Sequence, residues 1–182
     1  MAYLYVPAPS PTFARVPAPG KREPESHVTL VYLGKQELTV EQAFDIVRAI
    51  DPVVRACPKL TLRTRRVFSF PANPEDGFPI VMSVEGAELP HLRQEICRAL
   101  DRASVPYDRK FPVYRPHVTL AYAEQAVEQH DLEEPIVWTA EAVELSTGTK
   151  DSEPLIVRFA LPLEWRISTL VGQARLLLQQ RA

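Results

Sequence analysis

The tetrapeptide His-Val-Thr-Leu occurs twice in this chain, as His27-Val28-Thr29-Leu30 and as His117-Val118-Thr119-Leu120. Each copy is β-branched and apolar enough to form a strand, and each is soon followed by a tyrosine, Tyr32 or Tyr122. In a strand, residues two apart face the same way, with Cα atoms about 6.6–6.8 Å apart. His27 therefore shares a face with Thr29, and His117 with Thr119. Val28, Leu30, Val118 and Leu120 point the other way, into apolar packing. Each strand thus presents a proton-transfer group beside a hydroxyl that can donate to an anionic oxygen. The chain has four histidines, and two of them in the same His-x-Thr setting argues for a shared role over two unrelated strand histidines.

In-line displacement at phosphorus needs a base on the attacking oxygen and an acid on the leaving one, on opposite sides of the phosphorus atom. Two imidazoles suit this, because an ordinary pKa of about 6.5 lets one be neutral while the other is charged. The hydroxyls of Thr29 and Thr119 would donate to the non-bridging oxygens, where charge builds in the transition state. The scheme needs neither metal nor cofactor. A zinc site through His27 and His117 lacks a third ligand at motif spacing. A non-catalytic nucleotide- or RNA-binding module would use the donors but has no need of both imidazoles. An interaction protein, working through a proline-rich segment and a C-terminal helix, is a role that could be added to an enzyme.

Composition narrows the class. With 182 residues, 46% of them hydrophobic, the chain can build one sizeable core or two small lobes sharing one. A net charge of −2 gives no electrostatic footprint for long duplex nucleic acid. It favours a nucleotide or an RNA terminus, for which a local basic cleft is enough. Cys57 and Cys97 are too far apart to suggest zinc or a disulfide framework. No apolar run reaches membrane-spanning length and no signal-peptide pattern follows Met1, so a cytoplasmic enzyme with no membrane partner is expected.

The elements that must hold the two motifs follow from periodicity and punctuation. Ala2–Val6 reads as a first strand, closed by Pro7. The proline-rich stretch from Pro7 to Ser26 reads as a loop, either a solvated strap or a flap leading into the site. After the first motif strand, Thr39 offers an N-cap for a helix carrying Val40, Ala43, Phe44, Val47 and Ile50, which should stop before Pro52. Lys59–Phe68 reads as a strand whose basic residues Lys59, Arg63, Arg65 and Arg66 form a solvated face, with one of them able to reach a phosphate. A turn over Phe70–Gly77, a strand from Pro79 to Val84 and an amphipathic helix from Leu89 to Ala103 come next. His91 reads as surface and Cys97 as a small buried residue. A basic and aromatic approach, Tyr107 to Pro116, leads into the second motif. Glu124 to Glu134, with His130, reads as solvent-exposed. Ile136–Leu145 and Leu155–Leu161 read as two strands joined by the turn from Ser146 to Pro154, and Leu170–Gln180 as a helix able to cover the domain or meet a partner chain. The oligomeric state is left open.

The twin His-x-Thr-apolar pattern resembles the two-histidine (2H) phosphoesterase superfamily, which includes the 2′-5′ RNA ligase-like and cyclic phosphodiesterase families. The separation of the two motifs and the Pro-His ending of the second approach are also similar. The resemblance covers about residues 1–162. It implies an α+β fold of two antiparallel sheets related by a pseudo-two-fold axis around a central cleft, with helices outside. On this reading residues 1–162 form one bilobal domain including the 7–26 loop, and 163–182 form a C-terminal extension, expected to be helical. The loop, often helical in the family, and the extension depart from its pattern. The resemblance implies catalytic roles for His27 and His117 and phosphate binding by Thr29 and Thr119. Tyr32, Lys110, Arg115 and Tyr122 are candidate substrate contacts of second rank. The implied activity is metal-independent cleavage of a 2′,3′-cyclic, 2′-5′ or cyclic-oligonucleotide phosphodiester. A binding module and a reversible 2′-5′ RNA ligase are the alternatives, and either histidine could be the base.

Overall fold

The computed structural model describes residues 1–35, 37–110, 113–148, 155–161 and the backbone of 165–168. In chain order the elements are β1 (Ala2–Pro7), α1 (Ser10–Phe13), β2 (Lys21–Arg22), β3 (His27–Gly34), α2 (Val40–Ala56), β4 (Leu60–Ser69) and β5 (Phe78–Glu85). There follow α3 (Leu89–Arg102), β6 (His117–Ala123), β7 (His130–Ala140), β8 (Ala142–Ser146), β9 (Ile156–Ala160) and β10 (Trp165–Ser168). The strands run β10-β9-β8-β1-β3-β6-β5-β4-β7, all antiparallel, with β2 also paired to β6. This is the α+β arrangement that the family resemblance implied.

The two expected sheets are the two halves of this ladder. They meet where β3 lies beside β6, through the single pair Val28–Val118. A local two-fold axis therefore passes between those valines, with β1 flanking β3 on one side and β5 flanking β6 on the other. Behind the junction, α2 and α3 pack on each other. Ile46, Ile50 and Val54 from α2, and Leu92, Ile96 and Leu100 from α3, join Val28, Leu30, Val118 and Leu120 in one buried core. The β-branched and apolar residues of each motif strand alternate into that core, which leaves the histidines and threonines on the opposite face.

Several expectations need correcting. The proline-rich stretch is not loop throughout. Its Ser10–Phe13 turn is helical with Pro11 in the first turn, Phe13 and Val16 are buried, and Lys21–Arg22 pairs with β6. Phe13 meets Trp138 edge to face at 5.4 Å, so an apolar anchor fixes a segment whose prolines cannot build regular structure. Helix α2 does not stop before Pro52 but runs through it to Ala56. A proline removes one N–H and crowds the preceding turn, and burial of Val54 beyond it holds the last turn in place. The buried stripe of α2 is Ala43, Ile46, Ile50 and Val54; Val40 and Phe44 face solvent. Cys97 is half-buried, not buried, and Ala103 lies outside the buried stripe of α3. The stretch Ile136–Leu145 is two strands. β7 starts already at His130 and pairs with β4 at one end of the sheet, and β8 pairs with β1 and β9 in the other half. The exposed Glu141 between them marks the crossing, where no glycine or proline punctuates the sequence. In the extension, residues 165–168 are strand, paired with β9, not helix. The expected helix at 170–180 lies outside the described residues.

Candidate active site

The two motif strands set out their polar residues symmetrically. Burial alternates along both, with His27, Thr29, His117 and Thr119 half-buried between fully buried apolar neighbours. Pairing of Val28 with Val118 puts all four side chains on one face of the sheet, with His27 on the Thr119 side of the axis and His117 on the Thr29 side. The imidazoles are close enough for the charge of His117 to lower the pKa of His27.

Each imidazole is held the same way. His27 Nδ1 lies 3.0 Å from the Glu25 carbonyl oxygen, and His117 Nδ1 lies 2.8 Å from that of Arg115. A carbonyl can only accept, so Nδ1 carries the proton in both rings and Nε2 holds the lone pair. His130, also the first residue of a strand, makes the same bond to Glu128 at 3.1 Å. The lock is therefore a local property of strand-opening histidines. What sets His27 and His117 apart is their shared, half-buried face; His130 is exposed at the sheet edge, and His91 is exposed on α3.

Burial lowers both imidazole pKa values. At His27 the Glu25 carbonyl and carboxylate work against that shift, whereas at His117 only the Arg115 carbonyl does. The residue two before each histidine is thus an acid in the first copy and a base in the second. Aromatic rings complete the packing. Tyr3 stacks on His27 at 5.1 Å and 26°, and Tyr5 meets it edge-on at 5.2 Å. Phe70 meets His117 edge-on at 4.8 Å. Tyr5 donates to Glu144 at 2.6 Å, and Glu144 also pairs with Arg158 at 3.5 Å. Burial and that carboxylate push the Tyr5 phenol well above its ordinary pKa, so it stays a donor.

Tyr32 and Tyr122 stand an odd number of residues after their histidines, which in an unbroken strand would turn them to the opposite face. Both strands carry a β-bulge at the same place. The register of β3 against β1 slips between Val31 and Thr29, and that of β6 against β5 slips between Ala121 and Thr119. Leu30 and Val31 are consequently both buried, as are Leu120 and Ala121, and the two tyrosines return to the histidine face. Tyr32 stacks with Tyr3 at 6.3 Å and 11°. Burial, then the charges of Tyr3, Tyr122 and Asp108, raise its pKa to about 12.

The other sequence candidates are less central. Lys110 is exposed and its backbone N–H donates to Asp108, whose own N–H bonds the Tyr32 carbonyl at 2.8 Å. Arg115 is exposed and contributes its carbonyl to His117. Tyr114, which sequence reasoning passed over, donates to the Thr29 carbonyl at 3.2 Å under the guanidinium of Arg93, tying the approach loop to the first motif. The basic residues Lys59, just before β4, and Arg63, Arg65 and Arg66 on it are all exposed. Lys59 pairs with Glu141 at 2.8 Å, Arg65 donates to the Leu132 carbonyl at 2.9 Å, and Arg66 pairs with Asp131 at 3.2 Å. Sequence reasoning also missed Tyr3, Tyr5 and Phe70. The alternation of Tyr3 and Tyr5 with Leu4 and Val6 was the available signal; nothing local marks Phe70, which reaches His117 only through the β4–β5 turn. No group of three or more His, Cys, Asp or Glu side chains among the described residues is arranged to hold a metal. No helix among them is long and apolar enough to cross a membrane.

The fold and its paired His-x-Thr strands define a two-histidine phosphoesterase-type protein. A profile of the 2′-5′ RNA ligase superfamily matches residues 14–170, and the chain belongs to that superfamily. Among solved structures, TT0787 of Thermus thermophilus is similar at 20% identity with a TM-score of 0.68, covering 90% of this chain and 98% of that one. A structure described simply as a phosphoesterase is similar at 15% identity and a TM-score of 0.67, covering 89% and 98%. LigT of E. coli, in its complex with 3′-AMP, is similar at 16% identity and a TM-score of 0.62, covering 92% and 97%. No curated protein matches the chain by sequence.

Proposed function

We propose that the protein is a metal-independent phosphodiesterase that opens a 2′,3′-cyclic, 2′-5′ or cyclic-oligonucleotide phosphodiester of a nucleotide or RNA terminus. The observation that carries this reading is the reciprocal placement of two imidazoles on one face about the Val28–Val118 pair, each locked through Nδ1 and each with no hydrogen bond on Nε2 among the described residues. In the forward direction one Nε2 takes a proton from water as its oxygen bonds to phosphorus. The other imidazole, protonated, gives its proton to the leaving ribose oxygen as the P–O bond breaks. Thr29 and Thr119 donate to the non-bridging oxygens. The charge of Glu25 favours a protonated His27 while the charge of His117 opposes it, so either imidazole can serve as the acid, according to how the substrate lies. A ribonucleotide 5′-hydroxyl in place of water would turn the same displacement into 2′-5′ ligation, in keeping with the superfamily's name. Complexes of E. coli LigT with ATP, NADP+ and 3′-AMP support a nucleotide ligand for this cleft by analogy.

The test is incubation in EDTA with nucleoside 2′,3′-cyclic phosphates, 2′-5′ linked oligonucleotides and cyclic oligonucleotides. Cleavage of at least one class without added metal is expected. Intact substrates throughout, or cleavage that needs a divalent ion, would overturn the reading.

A further inference from the structure

We propose that Glu23 reads the Watson–Crick edge of a guanine base stacked against the tyrosines of the cleft, an inference that rests on the cleft being a nucleotide site. Strand β2 brings Glu23 there. Lys21 pairs with Tyr122 and Arg22 with Ala121, and the Glu23 N–H donates to the Leu120 carbonyl at 3.0 Å. Alternation about this pairing sends Lys21 and Glu23 to the face of Tyr122. Arg22 turns to the other face, where its guanidinium donates to the Val16 carbonyl at 2.6 Å. The charge of Glu23 is felt by both Tyr3 and Tyr122, which come from opposite halves of the sheet.

The surroundings suit a base. Tyr3 is stacked with Tyr32 and on His27, so one continuous aromatic wall runs out from that imidazole. Single-stranded bases are read by such stacking together with hydrogen bonds to their exposed edges. Glu23 is half-buried and makes no side-chain hydrogen bond or ion pair among the described residues. Burial and the charges of Glu25 and Asp76 raise its pKa against the opposing charge of Lys21, so the ionised form gains from a donor brought to it. Guanine presents N1–H and N2–H side by side, matching the two acceptor oxygens of a carboxylate. Adenine sets the N1 lone pair against that carboxylate beside a single donor group, and cytosine does the same with N3. Hypoxanthine keeps N1–H but lacks the second donor.

Binding decides this without any turnover. The 3′-monophosphates of guanosine, inosine and adenosine are titrated calorimetrically into the full-length wild type and Glu23→Gln. A bidentate contact should make guanylate about 5- to 150-fold tighter than adenylate, with inosinate between them. In Glu23→Gln that ratio should fall toward one, and Glu23→Ala should repeat the result with no amide in place. Equal affinities in the wild type, or a loss in both variants shared alike by all three nucleotides, would overturn the assignment. Guanylate selectivity in a protein that cleaves nothing in the phosphodiester panel would remove the proposed activity and leave this inference standing. Cleavage without base preference would do the reverse.

Discussion

At the scale of single residues, the site consists of two imidazoles that differ in their surroundings more than in their geometry. Both are lowered in pKa by burial, below the ordinary value of about 6.5. The sign of the linkage follows. As pH falls through that value the unfolded chain binds protons that the folded chain resists, so stability is full above it and declines toward the folded values. Thermal melts between about pH 7 and pH 5 should therefore show a steeper fall for the wild type than for a His27→Ala/His117→Ala double variant. Equal slopes would mean that neither imidazole is held neutral. For turnover, kcat/KM should be bell-shaped with limbs belonging to the coupled pair. The threonines have a separate signature. Thr29→Val and Thr119→Val keep a β-branched strand residue and should leave the melting temperature nearly unchanged. Each should still lower kcat by up to about 10²–10³-fold, as loss of an oxyanion donor does. Rates close to wild type would remove the hydroxyls from the account.

At the scale of elements, two devices build the cleft. The matched bulges in β3 and β6 turn Tyr32 and Tyr122 back to the histidine face, and the proline-rich segment lays β2 along β6. Phe13 holds that segment by its apolar ring and Gly20 by its shape. Gly20 has φ +88°, and a Cβ there would lie 2.1 Å from the Tyr122 carbonyl oxygen. Gly20→Ala should thus displace β2 and raise KM for nucleotide substrates more than it lowers stability. Phe13→Ala should cost about 3–5 kcal/mol in urea unfolding, because the vacated site lies against Trp138 and the main core. A small loss would mean the segment is held elsewhere. These devices explain what the sequence could and could not convey. The His-x-Thr strands, β4 and α3 were legible because alternation or a helical stripe runs through them. The bulges were not, since a register slip is created by the partner strands Leu4–Tyr5 and Ile80–Val81 and leaves no mark in Val-Thr-Leu-Val or Val-Thr-Leu-Ala. Pro52 misled because a local penalty was outweighed by burial of Val54 just beyond it.

At the scale of the whole molecule, two antiparallel half-sheets share one ladder and one core, and the site sits where they join through a single pair of valines. At that junction the same imidazole lock occurs twice, with Glu25 beside one copy and Arg115 beside the other. Which imidazole would be acid and which base is not legible from the motifs, which are identical, nor from the carbonyls that hold the rings, which make the same bond twice. The most direct test of the central claim compares a natural phosphodiester with a 4-nitrophenyl analogue, whose leaving group departs without a proton, in wild type, His27→Ala and His117→Ala. Both variants should lose roughly 10²–10⁴-fold on the natural substrate. On the analogue, the variant that lacks the acid should recover most of its loss while the other does not, and which one recovers assigns the two roles. Equal losses on both substrates in both variants would contradict paired acid and base catalysis by these two histidines.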